Sequence, residues 1–311
     1  MTPSSSTTFN RAHHRFAVFL ALCTFLLILA GASVTSNDAG LSVPDWPTSF
    51  GSLYRIPPMV GGVQFEHGHR MIAQFIGLLT IVLAVWTQRV DRRPWMRALG
   101  WAALATVILQ GILGGITVLF HLPPAVSTAH ATLGQTFFCI VISMALFTGR
   151  EWVREAPVLI AQSERPRLAS LSLLAVCAVY VQLILGAAFR HSGMKLLPHL
   201  VSAVVVTAIV LWTCIRVLSR YGRVPQLRKP ASALLVLLFV QLSLGFGSYL
   251  TRVQWGRGGP HPGTAMALTT VAHVAVGALL LATAVVLAIQ ARRHTVVEET
   301  LLNRHNEAFA A

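Results

Sequence analysis

Gly61–Gly77 reads GGVQFEHGHRMIAQFIG, a loop running into a long apolar segment with a carboxylate, two histidines and an arginine at the junction. Charge at a water–lipid boundary is costly to keep unless it is used. Glu66 and His69 are spaced i, i+3, so on a helix they share one face, whereas His67 lies well round from it. The apolar continuation through Gln88 is long enough to cross a bilayer, which takes about 20 residues. A membrane helix that opens on titratable groups therefore sets both the fold class and the place to look for chemistry.

The whole chain agrees with that reading. Its 311 residues are 55% hydrophobic and 11% charged, against about 25% charged in a typical soluble domain. Eight apolar spans can be marked: Phe16–Val34, Glu66–Gln88, Ala98–Phe120, Thr128–Thr148, Leu168–Arg190, Pro198–Leu218, Ala231–Leu250 and Ala267–Ala291. The first follows a polar, basic start but is long and lacks a clear cleavage pattern, so it reads as a retained helix and not a signal peptide. The expected fold is an all-α polytopic membrane protein of eight transmembrane helices.

The formal net charge of +14 does not point to nucleic acid, because the arginines sit in short loops between spans. Arg89, Arg92, Arg93 and Arg97 share one side with Arg150, Arg154, Arg165 and Arg167, with Arg216–Lys229, and with both chain ends. The opposite side carries far fewer cations. This asymmetry places both termini in the cytoplasm of a plasma (inner) membrane protein. The four cysteines (Cys23, Cys139, Cys177, Cys214) are scattered singly in apolar runs, a pattern that suits packing and neither a disulfide framework nor a metal site.

An internal repeat organises the spans. The third, fifth and seventh each carry Q-x-x-L-G, at Gln110–Gly114, Gln182–Gly186 and Gln241–Gly245. The second, fourth, sixth and eighth each carry a histidine with a small residue one turn later: His69 with Ala73, His130 with Gly134, His199 with Ala203, His273 with Gly277. Two pseudo-symmetric four-helix bundles follow, residues 16–149 and 168–291. They are flanked by a cytoplasmic N-terminus (1–15), linker (150–167) and tail (292–311), with an ordered outer loop over residues 35–65.

Four-helix bundles build cofactor sites from side chains on facing helices, and facing imidazoles supply the two axial bonds of a haem iron. A lone membrane histidine is more often hydrogen-bonded to a neighbour. Four at equivalent depth, as two pairs, point instead to two bis-histidine haem sites: His69 with His130, and His199 with His273. The small residues are expected to let a flat macrocycle lie against the backbone. Glu66 adjoins the first pair only, so chemistry is expected in the N-terminal half and electron transfer in the C-terminal half. Glu66 could equally be a helix-start carboxylate favoured by the dipole. Arg70, Arg190 and Arg252 stand at the outer boundary, where a guanidinium could hold a haem propionate or simply snorkel. His67, His121, His191 and His261 fall in loops or on other helix faces, suited to solvent or propionate contact and not to iron ligation.

These residues resemble the haem A synthase family. The resemblance rests on GLSVPDWP (Gly40–Pro47), on E-x-x-H-R (Glu66, His69, Arg70), on TAHATLGQ around His130, on LPHLVSA around His199 and on VAHVAVGA around His273, in order along all eight spans. It implies a two-bundle enzyme that oxidises the C8 methyl of haem O to the formyl of haem A, through two hydroxylations and loss of water, for haem–copper oxidases. It further implies that His69 and His130 flank the substrate haem, that His199 and His273 ligate a resident haem b, and that Glu66 is the acid/base or cation-stabilising group. Some members carry a cysteine pair in the first outer loop; Val43 and Ser49 stand there in this chain, so a thiol relay is closed to it. The implied partners are haem O, membrane lipid and an electron acceptor that the sequence leaves unidentified, with haem O synthase and self-association left open. Two other functions fit the histidines alone: a dihaem cytochrome taking electrons from quinol, and a haem carrier.

Overall fold

The structure, a computed structural model, describes residues 8–254 and 263–297. Helix α1 spans Arg11–Ser36, α2 Gly62–Val90, α3 Pro94–Leu119 and α4 Pro124–Thr148. A short helix α5 (Arg150–Arg154) and strand β1 (Ile160–Gln162) lead into α6 (Leu168–Ser192), α7 (Leu196–Arg220), α8 (Pro225–Tyr249) and α9 (Thr264–His294), which ends in strand β2 (Thr295–Val297). All eight long helices are apolar and long enough to cross a membrane. The protein is an all-α polytopic membrane protein.

The helices run beyond the apolar spans because polar end residues supply caps and anchors. The Asn10 side chain accepts from the His13 N–H at 3.1 Å and so starts α1 ahead of its apolar run, capping an otherwise orphaned donor. Helices α3, α4 and α8 open on proline, which loses nothing at the first helical position. Helix α8 begins six residues before the expected Ala231 and carries Pro230 inside it. Fully buried Leu227 anchors its first turn, so packing overrides the proline.

Each bundle is a closed ring of neighbours. In the first, α1 packs on α2 and α4, and α3 joins α2 to α4; in the second, α6 packs on α7 and α9, and α8 joins α7 to α9. The bundles meet through α1 on α9, α4 on α6, and α4 on α9. Exchanging α1 with α6 and α4 with α9 maps this interface onto itself, which is the pseudo-two-fold expected from the sequence repeat. Phe138 is almost fully buried at the seam with Ala278 and Ala282, and Phe25 tilts against it at 6.0 Å. Two polar ties cross the same seam, Thr136 Oγ1 to the Tyr180 hydroxyl at 2.9 Å and the Thr270 hydroxyl to Ser36 Oγ at 2.8 Å.

Close packing is concentrated toward the arginine-rich end. The core side chains are Ile76 and Leu83 of α2, Met96 of α3 and Met144 of α4 in one bundle, and Leu168, Val210, Leu234 and Leu287 in the other. At the histidine end the facing side chains are mostly half-buried. Large apolar residues such as Leu22, Leu26, Phe239 and Phe246 stay exposed on the perimeter, as lipid-facing positions require.

The arginine-rich end is tied by polar bonds. Asp91, just past α2, accepts from the Arg93 side chain at 2.6 and 2.9 Å and from the Arg93 N–H at 2.9 Å. Burial by itself raises the Asp91 carboxyl, but these bonds and the guanidinium charge outweigh it and hold the group below the usual carboxylate range. Strands β1 and β2 pair in parallel, Ile160 with Thr295 through Gln162 with Val297. They join the linker between the bundles to the end of α9, a pairing with no signal in the local sequence. Arg293 adds to it by donating to the Glu155 carbonyl at 2.6 Å and stacking on Trp152 at 4.2 Å.

Candidate functional site

Four histidines sit within the first three turns of α2, α4, α7 and α9, and all four rings occupy the same kind of notch. A Cβ built on Gly31 would lie 3.0 Å from His69 Cε1, on Gly114 3.3 Å from His130, on Gly186 3.0 Å from His199, and on Gly245 3.1 Å from His273. Each glycine belongs to the helix that precedes its histidine, so the imidazole edge lies directly on a neighbouring backbone. Only glycine permits that approach. Each ring also faces the backbone carbonyl four residues before its glycine, at Leu27, Gln110, Gln182 and Gln241.

This packing corrects the expected use of the small residues. The glycines of α1, α3, α6 and α8 make room for the histidine rings themselves, not for a macrocycle. The glycines one turn after two of the histidines make room for glutamine: a Cβ on Gly134 would meet Gln110 Nε2 at 2.6 Å, and one on Gly277 would meet Gln241 Nε2 at 3.2 Å. The two sequence repeats therefore interlock, glutamine over glycine and glycine under histidine, across α3 and α4 and across α8 and α9. The Gln110 amide donates to the His130 carbonyl at 3.0 Å and the Gln182 amide to the His199 carbonyl at 3.1 Å. The amides of Gln182 and Gln241 also lie 3.4 and 3.3 Å from the Nε2 of His199 and His273.

Haem fits the second pair on two observations. The His199 and His273 rings face each other with centroids 6.4 Å apart and planes at 72°. Two metal–imidazole bonds of about 2 Å each, plus a ring radius at either end, need roughly 6 Å. In addition, Nδ1 of all four histidines is buried without a hydrogen-bond partner, and a buried nitrogen left so is expensive unless something else binds the ring. His130 stands close enough to His69 to act on its charge. Among the described residues there is no cluster of three or more histidine, cysteine or acidic side chains that could hold a metal ion by themselves.

Among the described residues, an ordered loop, residues 37–61, roofs the first pair and none roofs the second. Asp45 organises it: its side chain accepts from the Thr48 hydroxyl, from the Phe50 N–H at 2.7 Å and from the Gly51 N–H at 2.8 Å. Burial would raise this carboxyl, but those donors hold it below the usual carboxylate range. Trp46 lies on α3, where a Cβ on Gly115 would meet its ring at 2.6 Å. Gly62 clears Ser42 in the same way, a Cβ there falling 2.0 Å from its hydroxyl.

Glu66 is the joint between loop and bundle. It is buried at 4% exposure, accepts from the Val43 N–H at 2.8 Å through Oε2, and pairs with Arg70 at 2.6 Å through Oε1. It is therefore no free carboxylate at a helix start, since both oxygens are engaged and a guanidinium balances its charge. The remaining Arg70 donors reach the carbonyls of Asp45 at 2.6 Å, Thr48 at 3.0 Å and Val43 at 3.2 Å. Arg70, expected at a propionate, here has its donors on Glu66 and on the loop carbonyls. Arg190 donates to the Thr35 carbonyl across the bundle seam, and Arg252 lies 5.9 Å over the Phe189 ring.

His67 also departs from expectation. It is buried, with Nδ1 3.0 Å from Ser49 Oγ, because the loop folds over a helix face that the sequence leaves open to water. Val43 and Ser49, the positions where some family members carry cysteines, thus contact Glu66 and His67. His191, at the end of α6, is half-buried and near enough to His130 to act on its charge; nothing in its local sequence marks a residue of the second bundle as a neighbour of the first pocket. His121 is exposed, and His261 lies outside the described residues.

Fold and site together define an eight-span membrane protein with two interlocked histidine pairs, one of them roofed by a loop that closes on a glutamate–arginine pair. Residues 63–197 match the model of the COX15-CtaA family, described as cytochrome oxidase assembly protein. Proteins named heme A synthase are similar to the chain. One from an Exiguobacterium species is 30% identical over 182 residues, 57% of this chain and 58% of that protein. Another, from Symbiobacterium thermophilum, is 28% identical over 252 residues, 71% of this chain and 80% of that protein. A third, from Roseobacter denitrificans, is 33% identical over 139 residues, 40% and 35% of the two chains. The chain is thus similar to the COX15-CtaA family over residues 63–197 and to proteins named heme A synthase over longer stretches.

Proposed function

We propose that this protein makes haem A by oxidising the C8 methyl of haem O to a formyl group, with His69 and His130 flanking the substrate haem and His199 and His273 holding a resident haem b. The observation that carries the reading is the asymmetry of two otherwise matched pockets. Both have paired histidines in glycine notches, and among the described residues only the first has a buried carboxylate and an ordered roof, with a histidine of the other bundle close enough to His130 to act on its charge. A haem at the second pair supplies one-electron transfer when bound. The arginine distribution supports a plasma-membrane protein with both termini in the cytoplasm and the two pockets near the outer face.

The residues of the first pocket divide the work. Gly31 and Gly114 set the ring planes of His69 and His130 and so fix where the substrate stands. The loop, held by Arg70 and Trp46, excludes water from that side; this strengthens electrostatic effects inside. Glu66 places a carboxylate at the pocket with its orientation fixed from both oxygens. Preorganised charge favours positive charge developing on a reacting carbon.

The test is extraction of haems from cells with and without the protein. A formyl-bearing haem that depends on the protein supports the enzyme. Its absence beside tightly bound haem b supports the dihaem cytochrome, a reading the matching pockets favour equally. Within the enzyme reading, Glu66→Gln retains haem and loses formyl production; a normal haem A yield in that variant removes Glu66 from the chemistry.

A further inference from the structure

The loop over the first pocket turns a second face outward, and that face is apolar. Phe50, Leu53, Tyr54, Ile56 and Val60 are all exposed, Tyr54 at 93% and Leu53 at 68%. Against them lies a cavity of about 380 Å³ between the loop and the first turn of α2, walled mostly by Phe50, Ile56, Val60, Val63 and two prolines, with Arg55 beside them. Sites for small molecules are of this size and make-up, mainly apolar with a few polar groups. An apolar patch with a polar rim marks an interaction surface.

Depth along α2 says what that surface meets. Helix α2 has 29 residues, about 43 Å at 1.5 Å per residue, against a hydrocarbon core of about 30 Å. Counting about 20 residues back from Arg89, at the arginine-rich end, puts the far hydrocarbon boundary near Arg70 and leaves the first turn of α2 in the headgroup layer. Exposed Met71, Phe75, Leu78 and Val82 form one lipid-facing stripe at helical spacing. Met59 of the loop reaches Gly68 at the top of that stripe, 3.9 Å from a Cβ built there. The apolar face of the loop is therefore continuous with the lipid-facing perimeter, at the level where tyrosine is enriched in membrane proteins. Among the described residues the Arg55 guanidinium pairs with no carboxylate, and the residue is exposed, so it can take a phosphate.

We propose that this cavity is a phospholipid site. One acyl chain from the leaflet at the histidine end lies against Ile56, Val60 and Val63, its phosphate meets Arg55, and Leu53 and Tyr54 rest in the same interfacial layer. Ser49 forms part of the cavity wall and also contacts His67, so the lipid braces the loop segment that roofs the first histidine pair.

Native mass spectrometry of the full chain with added phosphatidylglycerol, and separately with phosphatidylcholine, counts the lipid; both carry the phosphate and acyl chains that the site takes. Wild type is expected to keep one lipid of either kind under conditions that strip the perimeter. Arg55→Gln should weaken that retention about fivefold, the worth of one cation at a lipid surface, and Ile56→Glu should abolish it. Both residues are exposed in the loop, so neither change opens a packed core, and thermal unfolding alongside checks that the variants fold. Nitroxide labels on Leu53→Cys and Tyr54→Cys, with the four native cysteines replaced by alanine, give an independent measurement in lipid nanodiscs. Oxygen should relax these labels more than a water-soluble nickel chelate does, as at lipid-facing Phe75→Cys and opposite to Glu155→Cys, an exposed position of the linker. Lipid retention equal to wild type in both loop variants overturns the proposal, and so does a wild-type chain that keeps no lipid. Labels at residues 53 and 54 that behave like the Glu155→Cys control overturn it too, as does a dimer mass in place of the lipid adduct, which would make the face a contact between copies.

Discussion

Gly186→Ala isolates the notch beneath His199. Replacing a helix-interior glycine by alanine stabilises a helix by up to about 1 kcal/mol where the space is free. At Gly111 nothing lies within 4 Å of the added Cβ, so Gly111→Ala should show that gain. At Gly186 the Cβ would stand 3.0 Å from His199 Cε1 and 3.4 Å from Nδ1. The ring is rigid and its helix is packed, so it must move by roughly half an ångström to regain ordinary contact. Overpacking of this kind costs about 1–3 kcal/mol, which corresponds to haem retention weakened roughly 5- to 150-fold. The partner ring of His273 is 6.4 Å away, and the displacement alters one axial bond of the pair. Reduced-minus-oxidised difference spectra per mole of purified protein, with thermal unfolding alongside, make the measurement. The expected result is a folded Gly186→Ala protein with depleted haem b, beside a Gly111→Ala control with full haem and a slightly higher melting temperature. Full haem content and an unshifted spectrum in Gly186→Ala would refute the notch as the device that sets the ring.

Gly115→Ala drives a methyl into the Trp46 ring, 2.6 Å from the nearest ring atom, and should lift the loop; faster protease cleavage within residues 37–61 and lower haem A yield, with haem b intact, are the expected readouts. Arg70→Gln removes the ion pair to buried Glu66 and breaks contacts to three loop carbonyls, and loss of a buried partner typically costs about 3–5 kcal/mol. A fall in thermal stability much larger than that of Arg55→Gln, an exposed loop arginine, checks it. Asp91 and Asp45 both titrate below the ordinary carboxylate value when folded. Their contribution to stability is therefore present above about pH 3.9 and is lost as pH falls through the lowered values. Asp91→Asn should flatten that acid limb in a thermal-unfolding series across pH, and an unchanged limb would mean that other carboxylates carry it.

Much of this architecture is legible in the chain itself, because the bilayer imposes a strong rule. Every spanning segment must satisfy its own backbone, so eight apolar runs dictate eight helices, and short loops dictate antiparallel neighbours. The repeat of histidine and Q-x-x-L-G places four rings at matching depth, since helical spacing converts sequence offset into height. What the chain alone does not carry is which small residue faces which neighbour. Gly134 and Gly277 read as seats for a flat ligand, yet they accommodate glutamine amides, because the rotation of each helix about its own axis is set by packing with its neighbours. Glu66 reads as a lone carboxylate at a helix start. Only the folded loop brings the Val43 N–H and the Arg70 guanidinium onto its two oxygens, and only that loop buries His67 against Ser49. His191 comes near His130 across a bundle seam that no local pattern encodes. The sequence by itself determined the helices, their order and the depth of the histidines, through hydrophobic length and periodicity. The tertiary structure decided the partners of each polar side chain, because those depend on contacts between residues far apart in the chain.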